Sequence, residues 1–227
     1  MYPALLVDHG NSRLKWCLDD GSLRHHGALS LRGDSAVLTV ALNAAWRELP
    51  VVESVWLVSV GAPAQRLVIE EQACNLWGLT PTAIRVAAEA AGVSCGYRDP
   101  ARLGVDRWAA VVGAVARAGG KSCGVIDCGS AVTVDAVGVG GRHLGGVIFP
   151  GYEAMRAAFI ASTAAGPTLA NDGDFKLSPF ARDSEAAVAA GAWMAMLGGI
   201  ERCVTQMSRS IGEDARWFLC GGDASAL

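Results

Sequence analysis

Two stretches of this sequence share one arrangement: an apolar run, an aspartate, one further residue, a glycine and then a small polar residue. The first is LLVDHGNSRLKW, residues 5–16, and the second is GVIDCGSAVTVD, residues 124–135. A glycine in a turn lets the backbone approach a ligand, and successive N–H groups in such a turn bind anions. A carboxylate beside the turn suits Mg²⁺, which phosphate also binds. Asp8 and Asp127 therefore mark two candidate phosphate-binding turns.

One such turn is a weak indication of a ligand, because any hairpin places polar residues in its turn. Two copies in equivalent places favour a chemical role over a purely structural one. Two phosphate turns that face each other across a cleft would clamp a nucleotide, with the carboxylates of Asp8 and Asp127 beside its phosphates. The sequence thus predicts a nucleotide site between two similar halves.

The elements that must position these turns follow from the apolar pattern, since apolar runs indicate strands and the helical period indicates helices. A helix over 34–49 has Asp34 or Ser35 as its cap and a stripe that includes Val37 and Val40. Its stripe is completed by Ala41, Ala44 and Ala45. The other predicted helices are 62–78, ended by Gly78, 106–120, 152–165 and 185–210, and the predicted strands are 3–8, 14–18, 55–60, 83–87, 122–128, 131–139, 142–151 and 215–220.

The order of strands, helix, strand and helix occurs twice, and each copy opens with the aspartate and glycine hairpin. A duplicated architecture follows, with both halves mixed α/β. We place the first lobe at residues 1–112 and the second at 113–227. No linker rich in proline, glycine or serine separates them, so they should pack closely.

Composition limits the class of protein. The chain has 227 residues, 52% of them hydrophobic and 18% charged, and a net charge of −3. That is enough apolar material for a substantial core, and it offers no basic surface for nucleic acid or an anionic membrane. The start, MYPALLVD, has no charged region and too short an apolar run for a signal peptide. The apolar stretch 186–200 is too short to cross a bilayer and predicts a packed helix.

The cysteines and histidines give no sign of a disulfide framework or a zinc site. Seven cysteines is an odd number, none has Cys-x-x-Cys spacing, and several lie inside apolar runs. A reduced, cytoplasmic protein without a membrane or nucleic-acid partner is therefore expected. His25 and His26 are expected in an exposed turn that leads into a strand.

Five ordered motifs make the resemblance to a known family specific. They are DHGNSRLKW, LGVDRWAA, DCGSAVTVD, GGVIFPG and, near the end, GGDA. In their order, and across nearly the whole chain, these motifs resemble those of the type III pantothenate kinases, which catalyse the first step of coenzyme A synthesis. That family belongs to the actin, Hsp70 and sugar-kinase superfamily. The resemblance implies a two-lobed actin-like (ribonuclease H-like) α/β fold, with duplicated mixed sheets and ATP in the cleft between lobes.

The chain departs from the family pattern at several positions. Ser12, Ser130 and Ser184 stand where the family usually has threonine, which keeps the hydroxyl and loses a methyl group. Cys220 stands where threonine often precedes Gly-Gly-Asp. The resemblance also implies a closing helix after GGDA, whereas the sequence ends at Leu227.

Asp106, in LGVDRW, has two interpretations. From the residues alone it can cap the helix that begins there, since aspartate accepts hydrogen bonds from first-turn amides and suits the helix dipole. The resemblance implies instead a general base that takes the proton from the pantothenate hydroxyl. It also implies that Arg107 contacts the pantothenate carboxylate or a phosphate, where its planar donor fork would suit either anion, although a solvated helix residue is the plain alternative.

The resemblance assigns the other substrate contacts as well. Tyr97 and Gly104 would line the pantothenate pocket, although Tyr97 could equally be an aromatic at a strand edge. Ser184 would reach the pocket of a partner subunit, which implies a homodimer.

The same resemblance assigns the contacts with ATP and the cations. Asp8 would hold Mg²⁺, and Asp127 would lie near a monovalent cation, K⁺ or NH₄⁺. Lys15 could instead be a strand residue that faces solvent. The predicted ATP-binding positions are Asp8, Gly10, Asn11, Ser12, Arg13, Leu14, Lys15, Gly129, Ser130, Thr133, Gly221 and Gly222.

Three functions remain open at this point. The first is a pantothenate kinase that uses ATP. The second is a regulatory or accessory protein of the same fold, which binds ligand without turning it over. The third is a kinase of the superfamily for another small substrate. The intact Leu-Gly-x-Asp-Arg motif favours the enzyme over the accessory protein.

Overall fold

The computed structural model describes residues 3–163 and 178–224. Internal packing divides the chain into two units, Met1–Ala87 with Asp99–Ala109, and Ala88–Arg98 with Ala110–Leu227. The domain limits predicted from the sequence, 1–112 and 113–227, differ from these units at residues 88–98 and 110–112, which belong to the second unit. They stay a prediction.

The elements alternate along the chain much as the apolar pattern predicts. Two short 3₁₀ turns, Pro100–Arg102 and Val139–Gly141, accompany the longer elements. The strands and helices are β1 (Ala4–His9), β2 (Arg13–Asp19), β3 (Leu23–Ser30), α1 (Ser35–Arg47), β4 (Ser54–Ser59), α2 (Pro63–Trp77), β5 (Thr82–Ala83), β6 (Glu89–Ala90), β7 (Val93–Ser94), α3 (Val105–Ala118), β8 (Cys123–Cys128), β9 (Ala131–Val137), β10 (His143–Pro150), α4 (Tyr152–Ser162), α5 (Ser184–Ile211) and β11 (Arg216–Cys220).

The sheet of the first unit has the strand order β3-β2-β1-β4-β5. β1 pairs antiparallel with β2 and parallel with β4. Alternate residues of β1 are buried, namely Leu5, Val7 and His9. Leu5 and Val7 pack in the apolar core with residues of α1 and α2. Because side chains alternate between the two faces of a strand, Asp8 lies on the opposite face of the sheet.

α1 shows how the core of the first unit is built. The Asp34 side chain accepts a hydrogen bond from the Ala36 N–H, which confirms one of the two predicted caps. The buried residues are Leu38, Leu42 and Trp46, whereas Val37 and Val40 are 66% and 72% exposed. The prediction that these valines lie on the packed stripe is therefore wrong. The predicted stripe of valines and alanines and the observed stripe of leucines and tryptophan both have helical spacing. The leucine and tryptophan side chains are larger and bury more apolar surface.

The sheet of the second unit repeats this topology. Its order is β10-β9-β8-β11, with β8 antiparallel to β9 and parallel to β11. The order β3-β2-β1-β4 in the first sheet has the same strand directions around β1. The duplication predicted from the sequence is thus confirmed in the sheets, and β1 and β8, which carry Asp8 and Asp127, are equivalent strands.

α5 covers the second sheet with one face. Its buried residues include Trp193, Met196 and Ile200, which pack in one core cluster with residues of the sheet such as Ile126 and Val134. By length and composition α5 is also the one helix among the described residues that could cross a membrane, a test that the core helix of a globular protein passes too. Only 22% of its most apolar stretch is buried within this chain. The remaining face is exposed at Ala187, Gly191, Met194, Ala195 and Gly198.

The structure corrects three predictions of local structure. The strand expected at 83–87 is limited to Thr82–Ala83. His25 and His26 lie inside β3, not in a turn before a strand, and they are exposed because β3 is an edge strand beside β2 alone. β6 and β7 were not predicted, since two residues show no alternation. The helix predicted over 152–165 ends at Ser162, and residues 164–165 lie outside the described residues.

Candidate active site

The first phosphate-turn candidate is the tight hairpin between β1 and β2. The Gly10 N–H donates to the Arg13 carbonyl at 3.1 Å, so Asn11 and Ser12 form the tip. Asn11 and Arg13 are exposed, whereas Leu14 is fully buried in the core of the first unit. A role of Leu14 at ATP therefore rests on its backbone, because its side chain faces away from solvent.

Asp8 and Lys15 are partners across this hairpin. The Lys15 Nζ atom lies 3.9 Å from the Asp8 Oδ2 atom, and the two side chains are 42% and 46% exposed. Ion pairs at such exposure contribute little to stability because water screens them. Both charges are therefore accessible to a ligand without a large structural cost.

Residues of the same face surround Asp8 with a groove of about 540 Å³. Asp8, Lys15, His26, Trp56 and Ile84 are among the residues that line it. Its lining is mostly apolar, and its volume falls in the range of small-molecule sites, about 300–1,000 Å³. The groove offers an apolar wall beside a charged pair.

His9 was not predicted as a site residue, yet it lies next to the first hairpin, on the buried face of β1. Its ring is fully buried, with Nδ1 2.8 Å from Ser59 Oγ and Nε2 3.4 Å from Gln65 Oε1. Burial lowers the pKa of His9, because the charged ring would lose its hydration, and Arg66 lowers it further, whereas the Gln65 hydrogen bond raises it. Its position in the alternation of β1, after Leu5 and Val7, was a signal that could have marked it.

The second phosphate-turn candidate, between β8 and β9, is one residue shorter. The Gly129 N–H donates to the Ala131 carbonyl at 3.1 Å, so Ser130 alone forms the tip. Asp127 pairs in register with Thr133 on β9, as Asp8 pairs with Lys15 on β2. The two turns are therefore equivalent in topology but differ in length.

The turn after β11 joins this second hairpin. Cys220 pairs in register with Asp127, and the Asp223 N–H donates to the Cys128 carbonyl at 3.0 Å. Gly221, with φ of +102°, passes so close that a Cβ atom on it would overlap the Cys128 carbonyl. The structure thus brings together Asp127, Gly129, Ser130, Gly221 and Gly222.

Two carboxylates act on the buried Cys128 thiol of this cluster. Its pKa is raised to about 11, first by burial and then by the negative charges of Asp127 and Asp223. Asp223, in the GGDA motif, was not assigned a role from the sequence. Because the charges of Asp127 and Asp223 both raise the pKa of Cys128, Asp223 lies close enough to act on the same thiol as Asp127.

The start of α3 holds the predicted catalytic motif. The Trp108 N–H donates to the Gly104 carbonyl, so Gly104 occupies the cap position and Asp106 is the second helical residue. The interpretation of Asp106 as the N-cap is therefore wrong. Its Oδ1 atom still accepts a first-turn hydrogen bond, from the Arg107 N–H at 2.8 Å. Arg107 is buried, which contradicts the alternative of a solvated helix residue.

The two other predicted substrate residues lie in the second unit. The half-buried Tyr97 ring stacks on His143, with 6.1 Å between ring centroids and 10° between planes. Ser184 is exposed at the first position of α5, directly after Asp183, whose side chain caps that helix through the Ala186 N–H.

Comparison with known proteins decides the family. The sequence model of the type III pantothenate kinases matches residues 4–206. The chain belongs to the type III pantothenate kinase family. Similar proteins of that name include those of Alkalilimnicola ehrlichii, 40% identical over 98% of this chain and 88% of its own length, and Nitrosococcus oceani, 33% identical over 98% and 84%. The resemblance inferred from the five motifs is thus confirmed.

Solved structures agree on the fold. A protein from Campylobacter jejuni described as a Baf family transcriptional activator has a TM-score of 0.54 at 19% identity, covering 96% of this chain and 83% of its own. A protein from Listeria monocytogenes described as an N-acetylmannosamine kinase has a TM-score of 0.51 at 14% identity, covering 98% and 84%. This chain shares its fold with both proteins, and the actin-like fold predicted from the sequence is confirmed.

Proposed function

We propose that this protein is a pantothenate kinase, which transfers the γ-phosphoryl group of ATP to the pantothenate hydroxyl and yields 4′-phosphopantothenate, the first step of coenzyme A synthesis. The observation that carries the proposal is the pair of Asp-x-Gly hairpins on equivalent strands of duplicated sheets, in a chain that keeps Leu-Gly-x-Asp-Arg at the start of α3. Membership of the family supports the choice of substrate.

The proposed mechanism assigns the proton to Asp106. Its carboxylate accepts the proton of the pantothenate hydroxyl, whose oxygen bonds to the γ-phosphorus while the bond to the ADP oxygen breaks. Phosphoryl transfer needs little covalent help from the protein, so Asp106 mainly orients the nucleophile. Arg107, Gly104 and Tyr97 are proposed to hold the pantothenate, with the guanidinium of Arg107 on an anionic group.

The N–H groups of the two turns are proposed to bind the phosphates of ATP. The first turn contributes Gly10, Asn11, Ser12, Arg13 and the backbone of Leu14, with Lys15 beside it. The second contributes Gly129 and Ser130, followed by Thr133 on β9, while Gly221 and Gly222 are proposed to border the adenosine.

The cation sites are proposed from single carboxylates. Among residues 3–163 and 178–224, no three His, Cys, Asp or Glu side chains form a metal cluster. Mg²⁺ in phosphoryl-transfer sites keeps several waters and takes one or two carboxylates with substrate phosphates, so the accessible Asp8 carboxylate fits it. Bound Mg²⁺ would neutralise charge that develops on the phosphates. Asp127 is proposed to lie at a monovalent cation, K⁺ or NH₄⁺.

A homodimer is proposed on two grounds. The exposed face of α5 presents small and apolar residues, which allow close approach of a second helix. Ser184 begins that helix and is exposed, which suits a contact with the partner's substrate. The odd number and the spacing of the cysteines, which favour no disulfide framework, support the proposal of a cytoplasmic location.

The test of the proposed function is ATP-dependent phosphorylation of pantothenate by the purified protein. Product would be detected by mass spectrometry, with Mg²⁺ present and with K⁺ supplied or replaced by Na⁺. We expect phosphopantothenate to form, and more of it with K⁺. Binding of ATP without turnover of pantothenate would indicate an accessory protein instead, and turnover of a different small alcohol would indicate another kinase of the superfamily.

A further inference from the structure

A buried Asp135–His143 pair joins β9 to β10 in the second unit. The His143 Nε2 atom lies 2.9 Å from Asp135 Oδ1, and the two side chains are 0% and 2% exposed. Gly146, the register partner of Asp135, leaves room for the carboxylate, since a Cβ atom there would overlap Asp135 Oδ1. Asp135 closes the motif DCGSAVTVD, but the proposed reaction gives it no role.

Both nitrogens of the His143 ring have a defined partner. The Gly96 N–H donates to Nδ1 at 3.4 Å, so Nδ1 must carry the lone pair. The hydrogen is then on Nε2 and is donated to the Asp135 carboxylate. Because each nitrogen has a separate role, the carboxylate fixes the tautomer and the rotation of the ring.

The segment that contains Tyr97 rests on this ring and on the backbone beside it. The Tyr97 and His143 rings stack within the distance range of favourable aromatic pairs. A Cβ atom on Gly96 would overlap the His143 carbonyl, so only glycine permits this approach. Ser94 also forms a bridge with Arg142. The segment 94–97 is therefore held at several points along the start of β10.

We infer that Asp135 and His143 are positioning residues for pantothenate: through the Gly96 amide and the stacked ring they hold Tyr97 in the orientation that the substrate needs. The inference rests on the proposed function, in which Tyr97 contacts pantothenate. A buried carboxylate and imidazole are costly to desolvate, and an apolar pair would fill the same space. What the polar pair provides beyond packing is a defined ring orientation.

The test is a double-mutant cycle between Asp135 and Tyr97. Asp135→Ala removes the acceptor, Asp135→Asn keeps an oxygen for Nε2–H, and Tyr97→Ala removes the positioned ring. Steady-state kinetics would give the KM for pantothenate, the KM for ATP and kcat for each variant. Hydrogen exchange of the peptide that contains Gly96 reports on the segment without any need for activity. Should Asp135→Ala not fold, His143→Gln takes its place, since it can donate to Asp135 but has no ring for Tyr97.

We expect Asp135→Ala to raise the KM for pantothenate roughly tenfold, the scale of one lost hydrogen bond to a charged group, and to leave the KM for ATP within about twofold. Asp135→Asn should restore most of the loss. In the Tyr97→Ala background, Asp135→Ala should add little, and exchange at Gly96 should rise in Asp135→Ala.

Multiplicative effects of the two substitutions, or equal changes in both KM values, would overturn the inference, because they would mean that the pair only stabilises the fold. A wild-type protein that does not phosphorylate pantothenate would defeat the proposed function. In that case unchanged exchange at Gly96 in Asp135→Ala would overturn the positioning role too, and increased exchange would support it.

Discussion

Gly221 passes the end of β8 so closely that a Cβ atom on it would stand 2.5 Å from the Asp127 Oδ1 atom. Its φ of +102° lies where side chains are strained. Gly221→Ala should therefore displace the turn or the carboxylate. We expect the KM for ATP to rise by about tenfold, with a loss of stability on the order of 1–3 kcal/mol from the strained backbone.

Gly21→Ala is the matched control for this prediction. Gly21 has φ of +100°, but nothing lies within 4 Å of the position of its Cβ atom. The Gly21→Ala variant should have a lower melting temperature because of the backbone strain, and its KM for ATP should not change. Equal KM values for the two variants would show that the approach of Gly221 to Asp127 does not matter for nucleotide binding.

Most strands and helices could be predicted because they depend on local patterns, namely apolar runs, the helical period and glycines that end helices. The apolar runs of β1 and β8 predict strands that end near Asp8 and Asp127, and Gly78 ends α2 in a left-handed conformation as expected. The face of α1 was mistaken because valines and leucines both recur at the helical period. Tertiary packing decides which set is buried: Trp46 contacts the Trp16 and Trp77 rings, and Leu38 and Leu42 belong to the same core.

The network around the candidate site could not be predicted in the same way. His9 meets Ser59, which is 50 residues away along the chain, and His143 meets Gly96 at a separation of 47. No local period encodes such pairs. For Arg107, a solvent-exposed helix residue was the alternative to a substrate contact. Its burial depends on tertiary packing around α3, which the sequence does not show.

Lys15→Met tests whether Lys15 serves the nucleotide. Because its pair with Asp8 is half-exposed, stability should change by less than about 1 kcal/mol. We expect the KM for ATP to rise about three- to tenfold if the ammonium contacts a phosphate. Lys121→Met is the control, since Lys121 forms an exposed pair with Asp214 at 3.6 Å. Unchanged ATP kinetics in both variants would leave Lys15 as an ordinary strand residue.

The buried thiols should resist alkylation in the native protein. Burial raises the pKa of Cys123, and the pKa of Cys128 is raised to about 11, so neither forms much reactive thiolate in mildly alkaline buffer. Cys74 and Cys220 are exposed and should be modified first by iodoacetamide, as peptide mass spectrometry would show. Equal labelling of Cys74 and Cys128 before unfolding would contradict the packing of β8.

Gly191→Glu tests the proposed dimer. Beyond its own helix backbone and chain neighbours, no atom lies within 4 Å of the position of a Cβ atom at Gly191. The single chain should therefore fold at least as stably, because glutamate is a better helix former than glycine. A carboxylate on the exposed apolar face of α5 should oppose a second helix there. We expect sedimentation to show a monomer. The phosphorylation assay should show reduced activity for the same variant. A wild-type protein that is monomeric and fully active at nanomolar concentration would refute the shared site.

The most direct test of the central claim is the turnover of Asp106→Asn, measured beside its melting temperature. The Asn oxygen can still accept the hydrogen bond that Asp106 Oδ1 receives from the Arg107 N–H, so stability should change by well under about 1 kcal/mol. The amide cannot take the proton of the hydroxyl. We predict that turnover falls about 10²- to 10⁴-fold while the KM for pantothenate changes much less. Unchanged turnover with a lowered melting temperature would show that Asp106 only stabilises the start of α3.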